Sequence, residues 1–312
     1  MAELSTRFLN MTLSSPLVVA SGILGTSAPV MERCAIAGAG AVTSKSAGPE
    51  PRSGHANPVA VAWEGGVINA IGLTNPGCHE EVAILTEAKA RLAKLGGKLF
   101  ASIFAPTVEA FGEVARVTAQ SEPELIEVNI SCPNVASEFG TPFSACAPDA
   151  AAVTRSVKQA LAGSGIPISV KLAPNVPNLS VIAKACVAEG ADAITAINTV
   201  PGMLIDPWAG KPVLCNRSGG LSGPAIKPVA LRCVYELAAA LGPSVPIIGT
   251  GGVSSGLDAA EMILAGATLI GVGSVMVAEG PDALTRINAE LSDYMDQMGY
   301  ASLDDFRGKA LP

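Results

Sequence analysis

The sequence predicts an α/β protein, namely a (β/α)8 TIM barrel with extended loops at its top face. Two observations carry this prediction: eight short apolar runs recur along the 312 residues, and amphipathic helical patterns lie between most of them. This alternation is typical of parallel strands that are covered by helices. We expect one domain over residues 1–312, because no linker, repeat or low-complexity segment interrupts the chain. The structural alternative, a doubly wound sheet, should carry a G-x-G-x-x-G turn after its first strand, and ASGILG at 20–25 lacks that spacing.

The predicted strands are apolar at most positions, as expected for parallel strands that are buried on both faces. In chain order they are 16–21, 41–46, 98–104, 125–131, 167–173, 193–198, 246–252 and 269–274. Amphipathic patterns predict helices at 79–95, 107–119, 147–163, 179–189, 226–241, 255–264 and 281–297. Two connections, 47–97 and 199–225, are too long for simple crossovers, and long ordered loops in compact domains are usually functional.

Charge, hydropathy and cysteine usage exclude several classes of function. The net charge is −7 and no Lys/Arg run is present, which argues against nucleic acid or an anionic membrane as a partner. The longest uncharged stretch, 262–278, is short for a membrane span and contains glycines, so we interpret it as a helix end, a turn and a buried strand. The N-terminal residues lack a signal-peptide pattern, and the seven cysteines form no C-x-x-C pair. We therefore expect a cytoplasmic protein with no structural metal.

Polar residues follow almost every predicted strand, at the end where a barrel builds its active site. A single Asn there is more often a turn former than a ligand, and a lone Cys is more often a small buried hydrophobe. We assign Cys34, Cys186 and Cys233 to that second class, since they lie in helical patterns. Two strand-end lysines are harder to dismiss, because burying a cation without a partner is costly. The strand-end candidates are Ser21, Lys45, Ser102, Asn129, Cys132, Lys171, Asn198, Gly251, Gly252, Gly273 and Ser274.

The last two predicted strands carry GTGGV and GVGS, which bring four glycines to neighbouring strand ends. Glycine lets backbone N–H groups approach an anion closely, and barrels commonly bind phosphate at this place beside a helix N-terminus. We expect that helix to open near Ser254–Ser255. The alternative for the glycines is tight packing of strand against helix. A phosphate site, two lysines and no dinucleotide fingerprint together favour FMN.

Taken together, the motifs resemble the catalytic subunit of class 1 dihydroorotate dehydrogenases over essentially the full length of the chain. They are ASGILG (20–25), TSKS (43–46), NAIGLTNPG (69–77), NISCPN (129–134), VKL (170–172), INT (197–199), GGLSGPAIKP (219–228), GTGG (249–252) and GVGS (271–274). The segments GLTNPG, FGTPFS and GGLSGPAIKP are most similar to subclass 1B, which works with an iron–sulfur flavoprotein subunit and NAD. Where the family usually has Asn on the third strand, this chain has Ser102.

The resemblance implies FMN-dependent oxidation of (S)-dihydroorotate to orotate in pyrimidine biosynthesis, with hydride passing from C6 to FMN. Cys132 would be the base that removes the C5 proton. Phe139 and Gly140 lie in a loop that could close over the site and exclude water. FMN would be held by Ala20, Ser21, Lys45, Ser46, Ser102, Asn129, Lys171, Ile197, Gly223, Gly251, Gly252, Gly273 and Ser274. The substrate would be surrounded by Lys45, Asn69, Ala70, Ile71, Gly72, Leu73, Asn129, Asn134, Asn198 and Thr199.

The resemblance also implies a homodimer that docks with an electron-transfer subunit into a heterotetramer. FAD and a 2Fe–2S cluster would reside on that partner, since this chain has no cysteine spacing for a cluster. Two other enzymes remain open: an FMN barrel of the dihydropyrimidine dehydrogenase type, and a flavin-free barrel lyase that forms a Schiff base at Lys171. A non-enzymatic binding module would tolerate Cys132→Ala.

Overall fold

A computed structural model describes residues 3–131 and 142–312 of the chain. Its strands are β1 (Thr6–Phe8), β2 (Met11–Leu13), β3 (Leu17–Val19), β4 (Ala41–Thr43), β5 (Ala60–Trp63), β6 (Gly66–Asn69), β7 (Lys98–Ile103), β8 (Leu125–Asn129), β9 (Ile168–Leu172), β10 (Ala193–Ala196), β11 (Val200–Gly202), β12 (Ile205–Asp206), β13 (Lys211–Pro212), β14 (Gly219–Ser222), β15 (Ile247–Thr250) and β16 (Leu269–Val272). Its helices are α1 (Ala28–Ile36), α2 (Cys78–Ala93), α3 (Val108–Thr118), α4 (Ala147–Ala160), α5 (Leu179–Ala188), α6 (Lys227–Leu241), α7 (Gly256–Leu264), α8 (Val275–Glu279) and α9 (Asp282–Met298).

Eight parallel strands close into a barrel in the order β3-β4-β7-β8-β9-β10-β15-β16, which confirms the predicted TIM fold. Each of the eight predicted apolar runs contains one of these strands. The seven predicted helices are present as well, and the largest boundary difference is at the end of α4, predicted at 163 and found at Ala160. The stretch 262–278 contains the end of α7, a turn and strand β16, as we interpreted it, and also the start of helix α8, which was not predicted.

The pattern analysis placed Cys34 in a helical pattern but did not delimit helix α1, which connects the first two barrel strands. This helix is only nine residues long, and its buried residues are Ala28, Met31 and Cys34. Three buried positions over little more than two turns give too short an apolar period to stand out from the surrounding sequence.

The two long connections meet in a four-stranded antiparallel sheet with the order β11-β14-β6-β5. Its strands are three or four residues long, and β11 reads VPG while β14 reads GGLS. Proline and glycine are depleted in strands, so sequence propensity gave no strand signal here. This sheet supplies one wall of the cavity described below.

The interior of the barrel changes from apolar to polar along the strands. At the amino-terminal end, Phe100 and Leu125 pack with Phe8 and Leu13 of the β1–β2 hairpin in an apolar cluster. Side chains two residues further along a strand point to the same face. Phe100 is followed by Ser102, Leu125 by Glu127 and Ala193 by Thr195, and all three polar residues are buried. The prediction of strands that are apolar on both faces is therefore wrong for the upper half of the inner face; the outer face packs against the helices throughout.

In residues 3–131 and 142–312, no helix combines the length and the hydropathy that a membrane span requires. The same part of the chain contains no cluster of three His, Cys, Asp or Glu side chains with which a metal ion could be held.

Candidate active site

A cavity of about 480 Å³ opens at the carboxyl ends of the barrel strands. The barrel forms its floor, and residues of β5, β6 and β14 form one of its walls. This volume lies within the range of small-molecule sites, and the carboxyl face is where barrel enzymes build their active sites. The cavity is therefore the candidate active site.

The structure brings most of the sequence-predicted site residues to this cavity. Those that line it are Ala20, Ser21, Lys45, Ser46, Asn69, Ile71, Gly72, Leu73, Asn129, Lys171, Ile197, Asn198, Thr199, Gly223, Gly251, Gly252, Gly273 and Ser274. Two predicted residues do not line it. Ala70 is fully buried in a small apolar cluster with Ile68 and Leu214, while Ser102 lies beneath the floor and is 1% exposed.

Four of the predicted residues belong to the segment 132–141, which lies outside the described residues. They are Cys132 and Asn134 of the NISCPN motif, and Phe139 and Gly140 of the loop that could close over the site. Their roles stay predictions.

Glycines with positive φ angles form the end of the cavity that follows β15. Gly251 and Gly252 have φ of +136° and +77°, and Gly223 has φ of +108°. A Cβ at Gly252 would lie 2.6 Å from the Cβ of Lys227 and 2.9 Å from the carbonyl oxygen of Gly223. Only glycine fits such a conformation and such close packing. Gly273 differs, because a Cβ there would make ordinary contacts of 3.6 Å or more.

Helix α7 begins directly behind this glycine pair, as predicted. Ser255 is its N-cap residue, and the Ser255 hydroxyl accepts a hydrogen bond from the backbone N–H of Asp258. The Asp258 carboxylate in turn accepts from Ser254 and from Lys227 Nζ, the latter at 2.6 Å. These contacts fix the turn between β15 and α7 and with it the position of the glycines.

The cavity floor contains a buried ion pair. Lys171 Nζ donates to Ser21 Oγ at 2.9 Å and lies 3.4 Å from Glu127 Oε1. The same carboxylate oxygen accepts a hydrogen bond from Ser102 Oγ at 3.1 Å. Both charged side chains are less than a tenth exposed, so each needs the other to offset the loss of hydration.

The ion pair continues into a chain of neutral hydrogen bonds. The hydroxyls of Ser46 and Ser102 are 2.8 Å apart, and Asn129 Nδ2 donates to Ser46 Oγ at 3.2 Å. Because the amide nitrogen can only donate, the Ser46 proton is left to point at Ser102, and the Ser102 proton points at Glu127. The protons of this chain are therefore directed towards the carboxylate.

A second set of bonds fixes the amide of Asn198. Its Nδ2 donates to Ser131 Oγ at 2.9 Å, and its Oδ1 accepts from the backbone N–H of Thr199 at 2.9 Å. Asn129 Oδ1 is also within 3.4 Å of Asn198 Nδ2. Two carboxamides are thus held side by side on the cavity wall in defined orientations.

Comparison with known proteins places this architecture in a family. The family model described as dihydroorotate dehydrogenase matches residues 3–295. The chain belongs to the dihydroorotate dehydrogenase family. The resemblance seen in the motifs is therefore confirmed.

Relatives in the dihydroorotate dehydrogenase family are similar over nearly the whole chain. A protein from Methanosarcina acetivorans is 42% identical over 297 residues, which cover 95% of this chain and 92% of the relative. One from Methanothermobacter thermautotrophicus is 38% identical over 311 residues, which cover 98% of each. A Geobacillus protein is also 38% identical over 311 residues, covering 99% of this chain and 96% of the relative. All three carry the name dihydroorotate dehydrogenase B (NAD(+)), catalytic subunit.

The sequence analysis missed Glu127, whose signal was a lone acid inside the apolar strand LIEVN, two residues before Asn129. It also missed the hydroxyl of Ser131, which holds Asn198. The apolar part of the cavity wall was not predicted either, since apolar residues in a barrel are ordinarily read as core. These residues are Ile23, Leu24, Ala60, Val67, Ile226, Val253, Met276 and Val277.

None of the six cysteines in the described residues lines the cavity. Burial raises the pKa of Cys34 and of Cys186 to about 11, so neither thiol ionises near neutral pH. Cys146 is exposed, and its hydrogen bond to Asp149 raises its pKa as well. These thiols are structural or superficial, as the sequence predicted for Cys34, Cys186 and Cys233.

Proposed function

We propose that this chain is the catalytic subunit of an NAD-linked dihydroorotate dehydrogenase, which oxidises (S)-dihydroorotate to orotate. The observation that carries the proposal is the cavity itself: lysines, carboxamides and a glycine-shaped end come together at the carboxyl face of a barrel in this family. The names of the relatives support the NAD-linked form.

FMN is the cofactor that we propose for this cavity. The glycine end excludes side chains at Gly251 and Gly252, which leaves the backbone N–H groups within reach of a phosphate. Ser21, Lys45 and Lys171 also line the cavity and offer polar contacts to a flavin ring. When bound, FMN would supply the acceptor of the hydride from C6 of the substrate.

Substrate recognition would fall to the carboxamides and to Lys45. Dihydroorotate is a small anion rich in amide-like N–H and C=O groups, and a side-chain amide offers donors and an acceptor in one plane. Asn129 and Asn198 are already oriented by Ser46 and Ser131, so little ordering entropy would be lost on binding. Asn69 and Thr199 line the same cavity, and the Lys45 ammonium would attract the substrate carboxylate.

Cys132 is the base that we propose for the C5 proton. It directly follows Ser131, which lies in the cavity floor network. An unperturbed thiol has a pKa of ~8.5, so a few per cent is thiolate at neutral pH, and nearby cations would increase that fraction.

We also propose a partner subunit that carries FAD and a 2Fe–2S cluster and passes electrons to NAD, in a heterotetramer built on a homodimer of this chain. The words "catalytic subunit" in the relatives' names support a partner. Cysteine usage without C-x-x-C pairs supports the cytoplasm as the compartment.

The proposal is tested on the purified chain by identifying its released cofactor and then its substrate. We expect one FMN per protomer, no iron, and flavin reduction by dihydroorotate. Reduction by dihydrouracil instead would favour the dihydropyrimidine dehydrogenase type. Absence of flavin together with a borohydride-trapped adduct at Lys171 would favour the lyase.

Against the lyase, Lys171 Nζ is engaged by Ser21 and Glu127, whereas an amine nucleophile must be free to attack a carbonyl carbon.

A further inference from the structure

Glu127 is a buried acid that the proposed reaction does not use. It lies on β8, opposite Ser102 on β7, and it is 4% exposed. Its side chain does not line the cavity, whereas that of its partner Lys171 does. Lys171 is the charged group through which Glu127 reaches the cavity; its other route is the neutral hydrogen-bond chain through Ser102 and Ser46.

Lys171 stands between the carboxylate and the cavity. Its ammonium has three protons, and the described residues engage two of them, through Ser21 Oγ and Glu127 Oε1. The Glu127 contact of 3.4 Å is longer than the 2.7–2.9 Å that is usual for a charge-assisted bond. The hydrogen-bond geometry thus leaves Lys171 able to donate to a molecule in the cavity.

The carboxylate oxygen that faces Lys171 is also held by a neutral donor. Ser102 Oγ donates to Oε1, and the backbone N–H of Ser102 is bound by Ser44 Oγ at 3.1 Å. Oε1 makes both contacts, so a shift of this oxygen towards Lys171 would work against the bond from Ser102. The separation of the two charges is therefore set by the strands β7, β8 and β9.

We propose that Glu127 is a positioning residue that acts on the bound flavin through Lys171, and that it sets how much positive charge the cavity wall presents to the flavin. This inference rests on the proposed function, since it concerns FMN in this cavity. Reduction adds negative charge to a flavin. The ion pair of Lys171 and Glu127 carries little net charge. If the carboxylate alone were lost, the remaining ammonium would favour the reduced cofactor.

The test measures the affinity of each variant for reduced relative to oxidised FMN, read as the midpoint potential of the bound cofactor. For Glu127→Gln, which keeps the shape and the oxygen that accepts from Ser102, we expect this ratio to rise about tenfold. For a two-electron couple that is a rise of about 30 mV. Lys171→Met should lower the ratio by a similar factor, and the double variant should return close to the wild type.

Glu81→Gln is the matched control. Glu81 is also a buried acid, 3% exposed, but it lies on α2 and does not line the cavity. Its substitution should leave the potential unchanged. If Glu127 had a purely structural role, Glu127→Gln and Lys171→Met would not shift the midpoint potential in opposite directions.

An unchanged potential in Glu127→Gln with FMN retained would overturn the inference and leave the proposed function standing. A Glu127→Gln variant that folds but fails to hold FMN would also overturn the inference, because extra positive charge beside the cofactor should not release it. A wild-type chain that binds no flavin would overturn the proposed function and the inference together.

Discussion

Gly252→Ala is expected to abolish tight FMN binding while the barrel stays folded. Gly252 has φ of +77°, and a Cβ there would lie 2.6 Å from the Cβ of Lys227 and 2.9 Å from the Gly223 carbonyl oxygen. Both atoms belong to or adjoin the backbone, so the wall of the proposed phosphate site must move. Gly96 is the matched control, because its φ is +74°, it is exposed, and no atom lies within 4 Å of its ideal Cβ position.

Gly252→Ala and Gly96→Ala both force alanine into a left-handed backbone conformation, but only Gly252→Ala also crowds neighbouring atoms. A left-handed conformation costs a non-glycine residue roughly 1–2 kcal/mol, so both variants should lose about that much unfolding free energy. Gly252→Ala adds overpacking of about 1–3 kcal/mol. If the displaced wall loses one charge-assisted hydrogen bond to phosphate, about 1.5–3 kcal/mol of binding free energy is lost, and the Kd for FMN rises roughly 10- to 150-fold.

Titration calorimetry of the flavin-free proteins with FMN measures the binding loss, and thermal unfolding measures the shared strain. Gly96→Ala should bind FMN as the wild type does. Wild-type affinity in Gly252→Ala would refute the assignment of the phosphate site to this turn. Loss of FMN in both variants would show that strain alone, and not the cavity wall, is responsible.

The remaining predictions concern the proposed base, the cavity lysine and a buried acid. Cys132→Ser should keep the fold and the flavin but lose most dihydroorotate oxidation near neutral pH, with residual activity rising at higher pH; stopped-flow flavin reduction measures this, and Cys146→Ser and Cys215→Ser should cost little. Lys171→Ala should slow flavin reduction by orders of magnitude or release FMN, and normal kinetics with FMN retained would contradict its role. Burial raises the pKa of Glu81 from 4.5 to about 7, so the folded state holds a proton that the unfolded state loses, and stability falls between pH 4.5 and 7 by up to about 3 kcal/mol. Denaturant unfolding across this range should show a shallower fall in Glu81→Gln, and identical pH profiles would contradict the burial argument.

The barrel could be predicted because its elements are long or strongly apolar. Strands such as β8 and β9 are runs of five buried residues, and α9 repeats its apolar face over seventeen residues. Elements with weak local signals were missed. Helix α1 is so short that only Cys34 was assigned to a helical pattern and no range was predicted, and β14 is built from GGLS, which is stabilised by pairing with β6 and not by strand propensity.

The sequence predicted those site residues that the barrel topology alone brings together. Strand-end residues that are far apart in sequence, such as Ser21 and Lys171, must meet once the barrel closes, and they do so at 2.9 Å. Residues that act from beneath the floor carry no such positional signal. Glu127 is within the strand, not at its end, and only the closed barrel shows that its neighbours are Ser102 and Lys171.

The division of the barrel interior explains how the fold tolerates a charged floor. The lower half is filled by Phe100, Leu125 and their apolar neighbours and is closed by Phe8, so hydrophobic burial stabilises the barrel below the site. One step higher, Ser169 and Thr195 bind each other at 2.8 Å, and Glu127 satisfies the donors beside it. Polar groups without partners at this depth would be costly, whereas a connected network is tolerated and holds its members rigidly. The same bonds that make the polar layer stable thus hold Lys171 at the cavity floor and Asn129 beside it.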